Sequence, residues 1–426
     1  MELTIKNIGI IKEADIKLSG LTVIAGENDS GKSTVGKLMF SIIKAISKYK
    51  DELEEGKEYK ILKTVERIYF YNRQHFFDVS EFKELFHPRH FANEINQHGV
   101  KAITSRVEFL EEHKISNDRT HSLFQILEKT ITENENENIA KIKAFTKVIN
   151  SEFSGIITNQ NIKKDVYVNI AESEEAILAI KVKYEESEEG ALYHFDQQDE
   201  LYFNDSTLIE TPMLLNFHES IRESKTAFEP RTTHNRHLGR AKIAFHIKDL
   251  EMKLRDSANN DYFYKPNDVY QKAKNTIKGT IKYRPQSNDF FYFKDNGQEH
   301  RMINVASGIK TFGMLQMLLV GEFINERSLI ILDEPEVHLH PNWQLKFSEL
   351  VTLLVKNGAN ILVTTHSPYM VEALERYSEK YKTEANFYLA KEGVIKSENN
   401  NKTLSEIFTK LSQPFDVFRE MDADKL

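Results

Sequence analysis

Cysteine is absent from all 426 residues. That excludes disulfides, zinc–cysteine clusters and cysteine nucleophiles, and it suits a reducing compartment. Long apolar runs are missing too. The most apolar stretch, Met314 to Val320, falls far short of the roughly 20 residues a membrane span needs, so no membrane partner is expected. The first residues lead straight into strand-like sequence without the leader of a secreted chain, and a cytoplasmic location is expected. Positive charge is scarce: 57 Lys and Arg against 65 Asp and Glu leave a formal charge of −8. A chain coated for nonspecific DNA binding is thereby excluded, although a local basic patch is not. Internal repeats and sustained heptads are also lacking, which removes solenoids and long coiled coils. What remains is an ordinary globular composition, 40% hydrophobic, on a chain longer than one simple core organises. Two lobes, or one head with a large insertion, are expected.

The strongest positive signal is Gly26-Glu27-Asn28-Asp29-Ser30-Gly31-Lys32-Ser33-Thr34, directly after the apolar run Leu21 to Ala25. The glycines let successive backbone N–H groups point at phosphates, Lys32 adds a positive charge, and the Ser33 hydroxyl suits magnesium. Val35, Leu38, Met39, Ile42, Ile43 and Ile46 follow at helical spacing, so the phosphates would meet a helix N-terminus. This is a nucleoside triphosphate site, with ATP and Mg2+ as the expected ligands; Gly26, Asn28, Ser30, Gly31, Lys32, Ser33 and Thr34 form it.

Around that loop the texture changes several times. Leu3 to Lys6, Ala14 to Lys17 and Leu21 to Ala25 read as strands. Residues 48–164 are charged, aromatic and helix-like, with an acidic stretch, Thr132-Glu-Asn-Glu-Asn-Glu-Asn138, read as a solvated loop or helix start. Residues 165–216 carry alternating runs, including Leu201 to Phe203 and Leu208 to Leu215, and read as a β-meander. A helical segment covering 217–275 and a final segment, 276–426, complete the division that begins with a β lobe and phosphate loop at 1–47. Within 276–426, Gly279 to Tyr283 and Phe290 to Lys294 suggest a hairpin, and Pro341 to Lys356 a helix.

Leu329-Ile-Ile-Leu-Asp333-Glu334-Pro335 delivers two adjacent carboxylates at the end of a buried strand. Asp333 would hold magnesium, and Glu334 would polarise the attacking water, since in-line phosphoryl transfer needs a positioned nucleophile and neutralised charge. A bare helix cap is the alternative reading. Thirty-two residues beyond Glu334, the run Ile361 to Thr365 ends at His366, with Ser367-Pro368 starting another helix. His366 is thereby aimed at the γ-phosphate. Asn304 to Lys310 precedes an apolar helix, Thr311 to Val320, which Ser307 would cap. Its tip is either a second anion site or a capped core helix without ligand.

The phosphate loop, Ala-Ser-Gly-Ile-Lys, Ile-Leu-Asp-Glu-Pro-Glu-Val-His-Leu-His-Pro and Thr-Thr-His-Ser-Pro-Tyr, in that order, resemble the ABC-type ATPases of the SMC and OLD (overcoming lysogenization defect) group. Residues 1–45 and about 275–375 carry the likeness. It implies an α/β fold: an ABC-type P-loop ATPase head, with a mixed sheet core plus an antiparallel β lobe, and a helical insertion. It implies a homodimer or higher oligomer in which Ser307, Gly308 and Lys310 close in trans over the nucleotide held by Lys32 of the other subunit. Asp333 for magnesium, Glu334 as catalytic carboxylate and His366 as switch histidine follow from the same likeness.

The chain departs from that pattern in three places. Ile309 stands where a second glycine is usual. No Q-loop glutamine is evident, since Gln74 lies in the helical insertion and Leu208 to Leu215 has none. The intervening helices are too short for SMC arms.

OLD-type nucleases continue into a Toprim domain, whereas here only sixty residues follow His366, and Asp422-Ala-Asp424 lies too near the end to build one. His338-Leu-His340 lacks a third metal ligand and reads as structural or interfacial. Stand-alone heads of this kind resemble the ATPase subunits of two-component anti-phage systems such as PARIS and Septu, which implies a separate nuclease or toxin as effector. Lys225, Arg231, Arg236, Arg240 and Lys242 form the best basic patch, suited to DNA, a phage protein or an acidic partner. An SMC-like DNA-repair or DNA-maintenance ATPase is the alternative function.

Overall fold

The computed structural model describes residues 1–72, 84–115, 118–132, 136–155, 157–158, 163–172, 175–183, 191–227, 242–261 and 264–423. Two compact units emerge. One is built from Met1–Ser47, Phe145–Ala227 and the described residues from 242 onward; the other is Lys48–Ala144.

The first unit opens with β1 (Glu2–Ile8) and β2 (Ile11–Lys17), an antiparallel pair with alternating burial, then β3 (Leu21–Gly26), buried at every residue. The difference follows from sequence: one-sided strands alternate, whereas a strand covered on both faces is apolar throughout. Lys32–Asn72 is one helix, α1, of 41 residues. In the second unit, α2 (Pro88–His98), α3 (Val100–Glu112) and α4 (Asp118–Thr132) share a core with α1 built on Ile68, Phe91, Ile103 and Leu127, and α5 (Glu137–Phe153) begins there. The Phe145 ring packs against Phe195 within the first unit.

β4 (Val166–Glu172), β5 (Glu175–Lys183) and β6 (Ala191–Gln197) form the antiparallel meander. β7 (Asp205–Ile209) does not extend it. This strand lies parallel to β11 (Ser328–Asp333) at the opposite edge of the sheet. Leu201 to Phe203, expected as a strand, belongs to none: Leu201 and Phe203 are buried, but the segment is a connection between the two sheet edges. Next come α6 (His218–Glu223), α7 (Phe245–Asp256) and α8 (Asp268–Ile277). A small antiparallel sheet follows, of β8 (Gly279–Arg284), β9 (Asp289–Lys294) and β10 (Glu299–Arg301).

The last part supplies α9 (Ser307–Val320), α10 (Pro341–Lys356), β12 (Asn360–Thr365), α11 (Pro368–Tyr381), β13 (Ala385–Lys391), β14 (Val394–Lys396) and α12 (Asn400–Ala423). The large sheet has the order β6-β5-β4-β1-β2-β14-β13-β3-β12-β11-β7. Its half from β13 to β7 is parallel, and its β6-to-β2 half is antiparallel. The parallel half aligns the C-terminal ends of β3, β12, β11 and β7, where open α/β sheets bind ligands. Phe312 anchors α9 to α10 by edge contacts with Trp343 and Phe347, ring centroids 5.5 and 5.4 Å apart. Each such pair contributes about 0.5–1.5 kcal/mol beyond burial.

Candidate functional site

β3 ends at Gly26, where a Cβ would lie 2.3 Å from the Ala390 carbonyl oxygen; only glycine lets β13 approach so closely. The loop then turns through Gly31 at φ +96°, and α1 starts at Lys32. Ser30 Oγ donates to the Glu27 carbonyl at 2.8 Å, and Lys32 Nζ donates to the same oxygen at 2.7 Å. Asn28 is exposed at the rim, while Ser33 and Thr34 are half-buried in the first helical turn.

β11 brings Asp333 to this loop. Ser33 Oγ donates to Asp333 Oδ1 at 2.9 Å, joining residues 300 apart in sequence. The Thr364 hydroxyl of β12 donates to the same carboxylate oxygen. Burial pushes the Asp333 carboxyl up, the hydrogen bonds from Thr364 and Ser33 oppose this, and the charges of Glu210 and Glu334 add to the rise. Two hard oxygen donors in an over-negative, buried setting fit a divalent cation such as Mg2+.

Glu334 takes a left-handed backbone, φ 47° and ψ 52°, which breaks the strand and turns its side chain into the site. Its N–H donates to the Thr364 carbonyl at 3.1 Å. Its Oε1 lies 3.6 Å from Lys32 Nζ and 3.5 Å from His366 Nδ1. His366 follows the tip of β12, and Ser367 caps α11 by accepting the Met370 N–H. Lys32, Ser33, Asp333, Glu334 and His366 therefore form one connected group.

The signature segment differs from its expectation in one respect. Ser307 does not cap α9: it is the first helical residue, Ala306 holds the cap position, and no side chain caps the end. The helix starts four residues earlier than the apolar run suggests, because Ser307, Gly308 and Lys310 tolerate helix although none is apolar. Gly308 lies against Trp343, where a Cβ would be 3.1 Å from the indole. Lys310 points inward, its ammonium bonded to Asn216 Oδ1 at 2.7 Å and its pKa lowered by burial.

Two site residues carry no sequence motif. Glu210, just past β7, reaches Lys37 at 3.5 Å and His246 at 3.2 Å, at the position where a Q-loop glutamine was sought. Glu336, buried two residues after Glu334, accepts from Thr365 Oγ1 at 2.6 Å and from the His366 N–H at 2.8 Å. The acidic spelling of Glu-Pro-Glu was the only available hint. Elsewhere, His340 accepts the Asn342 N–H and His338 Nε2 lies 3.4 Å from Thr211 Oγ1. Among the described residues no group of three or more His, Cys, Asp or Glu side chains could hold a metal. Gln74, Arg231, Arg236, Arg240, residues 133–135 of the acidic stretch and Asp424 lie outside the described residues.

A family model described as AAA ATPase domain, AAA_15, matches residues 1–371. The chain belongs to this AAA ATPase family. Among curated relatives, the Septu protein PtuA of Bacillus thuringiensis is 49% identical over 45 residues, 11% of either chain. Protein ea59 of Escherichia phage lambda is 33% identical over 88 residues, 20% of this ATPase chain and 16% of that protein. The chain thus spans only 11% and 16% of the length of these relatives. Among solved structures, the SMC head domain from Thermotoga maritima is 11% identical with a TM-score of 0.36, covering 92% of this chain and 96% of that one. The ATP-binding cassette MJ1267 of an ABC transporter, in its ADP conformation, is 11% identical with a TM-score of 0.35, covering 99% of each. No described helix of this ATPase is long and apolar enough to cross a membrane.

Proposed function

We propose that this ATPase chain binds ATP with magnesium and hydrolyses it to ADP and phosphate between two copies of itself. The observation that carries the reading is the convergence of Ser33 on Asp333 at 2.9 Å, with Lys32 and His366 within 3.6 Å of Glu334. Loop N–H groups and Lys32 hold the phosphates. Ser33 and Asp333 hold magnesium, which when bound neutralises charge on the phosphate oxygens. Glu334 orients the attacking water and takes its proton, and His366 donates toward the terminal phosphate. Ser307 and Gly308 of a second copy cover the nucleotide. Ile303 and Val337, 74% and 58% exposed beside the signature and the carboxylate pair, support a surface that a partner covers.

We further infer that hydrolysis controls a separate effector, a nuclease or toxin, in anti-phage defence; the matched segment of the Septu protein PtuA supports this. The test is Glu334→Gln. It should lower hydrolysis by about 100-fold or more while ATP binding persists and the dimer accumulates on sizing with light scattering. Full hydrolysis by the variant overturns the catalytic assignment. Co-purification of the neighbouring gene's product with the wild-type chain tests the effector role, and strong DNA stimulation of hydrolysis favours the DNA-maintenance alternative.

A further inference from the structure

Glu336 sits in the short turn Pro335–His338 that follows the catalytic strand, with its side chain only 3% exposed. One carboxylate oxygen, Oε1, is tied to the tip of β12 by the Thr365 hydroxyl and the His366 N–H. The other, Oε2, is buried with no hydrogen-bond partner among the described residues, and His366 Nδ1 is buried without one as well. Nδ1 lies 3.5 Å from Oε1 of the same carboxylate whose other oxygen is the orphan. Buried polar atoms without partners are rare in folded proteins, and a carboxylate beside an imidazole N–H gives Nδ1 its acceptor.

The second carboxylate near Nδ1, Glu334 at 3.5 Å, differs in kind. Its side chain is 29% exposed and shares Lys32, whereas Glu336 pairs with no Lys or Arg among the described residues and is anchored by the backbone of the histidine it faces. Glu336 is therefore built to hold the ring, leaving Glu334 free to face water.

Resting on the assignment of His366 to the terminal phosphate, we propose that Glu336 is a positioning residue: it accepts Nδ1–H of His366 and so presents Nε2 toward the nucleotide. A carboxylate here fixes both the tautomer and the plane of the imidazole, as an acceptor behind a functional histidine does. A neutral amide would not, because its NH2 can turn toward Nδ1 and favour the opposite tautomer.

The experiment uses the full chain labelled with 15N-histidine, the His366 signals being assigned by their loss in His366→Gln. In the wild-type chain, near-neutral pH should give the Nδ1–H form; a predominant Nε2–H form overturns the proposal without any Glu336 variant. In Glu336→Gln the signals should move toward Nε2–H, kcat should fall about tenfold, and KM for ATP should change little. Glu336→Asp should recover part of kcat. Unchanged kcat with unchanged nitrogen shifts in Glu336→Gln also overturns it, as does an equal loss of ATP binding in the Gln and Asp variants, which marks a purely structural carboxylate. Should His366→Ala keep full hydrolysis, the role of His366 itself fails, while the nitrogen signature still reports separately on the Glu336 contact.

Discussion

His246 offers a sharp test of the electrostatics behind the site. It is the second residue of α7, 2% exposed, and its ring is clamped between two acids: Nδ1 is 2.6 Å from Glu152 and Nε2 is 3.2 Å from Glu210. Burial alone would lower its pKa, but the hydrogen bonds and charges of Glu152 and Glu210 outweigh it and raise the value to about 9. A histidine raised in the folded state stabilises fully below its unfolded value near 6.5, and that stability is lost as pH rises through about 9. The difference corresponds to about 3 kcal/mol, or a melting shift on the order of 5 °C for a unit this large. Glu210, held down to about 2 by the same contact, is the other end of this pair, so the two values are not summed.

The assay is thermal unfolding of the wild type and His246→Gln at pH 6 and at pH 9.5. The variant should be clearly less stable at pH 6 and nearly equal at pH 9.5. Parallel curves for the two chains would refute the reasoning, because other titrating groups act on both alike.

Lys44 bridges Asp205 at 2.6 Å and Asp249 at 2.7 Å, while Lys253 reaches the same two acids at 2.6 and 3.3 Å. Asp249→Asn leaves a buried positive charge unbalanced and should cost about 3–5 kcal/mol in denaturant unfolding, whereas Asp249→Leu with Lys253→Met should recover most of it. Gly31→Ala places a Cβ 2.7 Å from Ile11 at φ +96°; titration with a fluorescent ATP analogue should show weakened binding, and stability should fall by about 1–3 kcal/mol. Trp343, the chain's single tryptophan, touches Phe312 and the Gly308 backbone. Its emission should shift to the red in Phe312→Ala, with about 3–5 kcal/mol of stability lost.

The placement of the candidate site residues was more legible than the sheet that frames them. The phosphate loop, Asp333-Glu334 and His366 were readable because each follows a short, wholly apolar run, and buried parallel strands deliver functional groups at their ends. β7 was misassigned to the meander because five residues of alternating texture carry no mark of which distant strand they pair with; its partner lies more than a hundred residues on. The cap of α9 was misread because Ser307 suits both the cap and the first helical position, and only the extended backbone of Ala306 decides. Glu336 carries little sequence signal because its burial and its hydrogen bonds to Thr365 and the His366 N–H appear only in the fold.

The position of β3 has a consequence for how the chain is made. Leu21 pairs with Ile361 on one side and Ala385 on the other, so the strand bearing the phosphate loop gains its neighbours only from the far end of the polypeptide. At about 5–20 residues per second, a ribosome needs roughly 20–70 s between finishing β3 and finishing β13. Throughout that interval Val23 and Ile24, fully enclosed in the mature sheet, present a bare apolar edge to whatever else is nearby. A nascent chain released ahead of β13 is therefore expected to expose this strand in place of a formed pocket, and aggregation of a chain ending before Ala385 would show it.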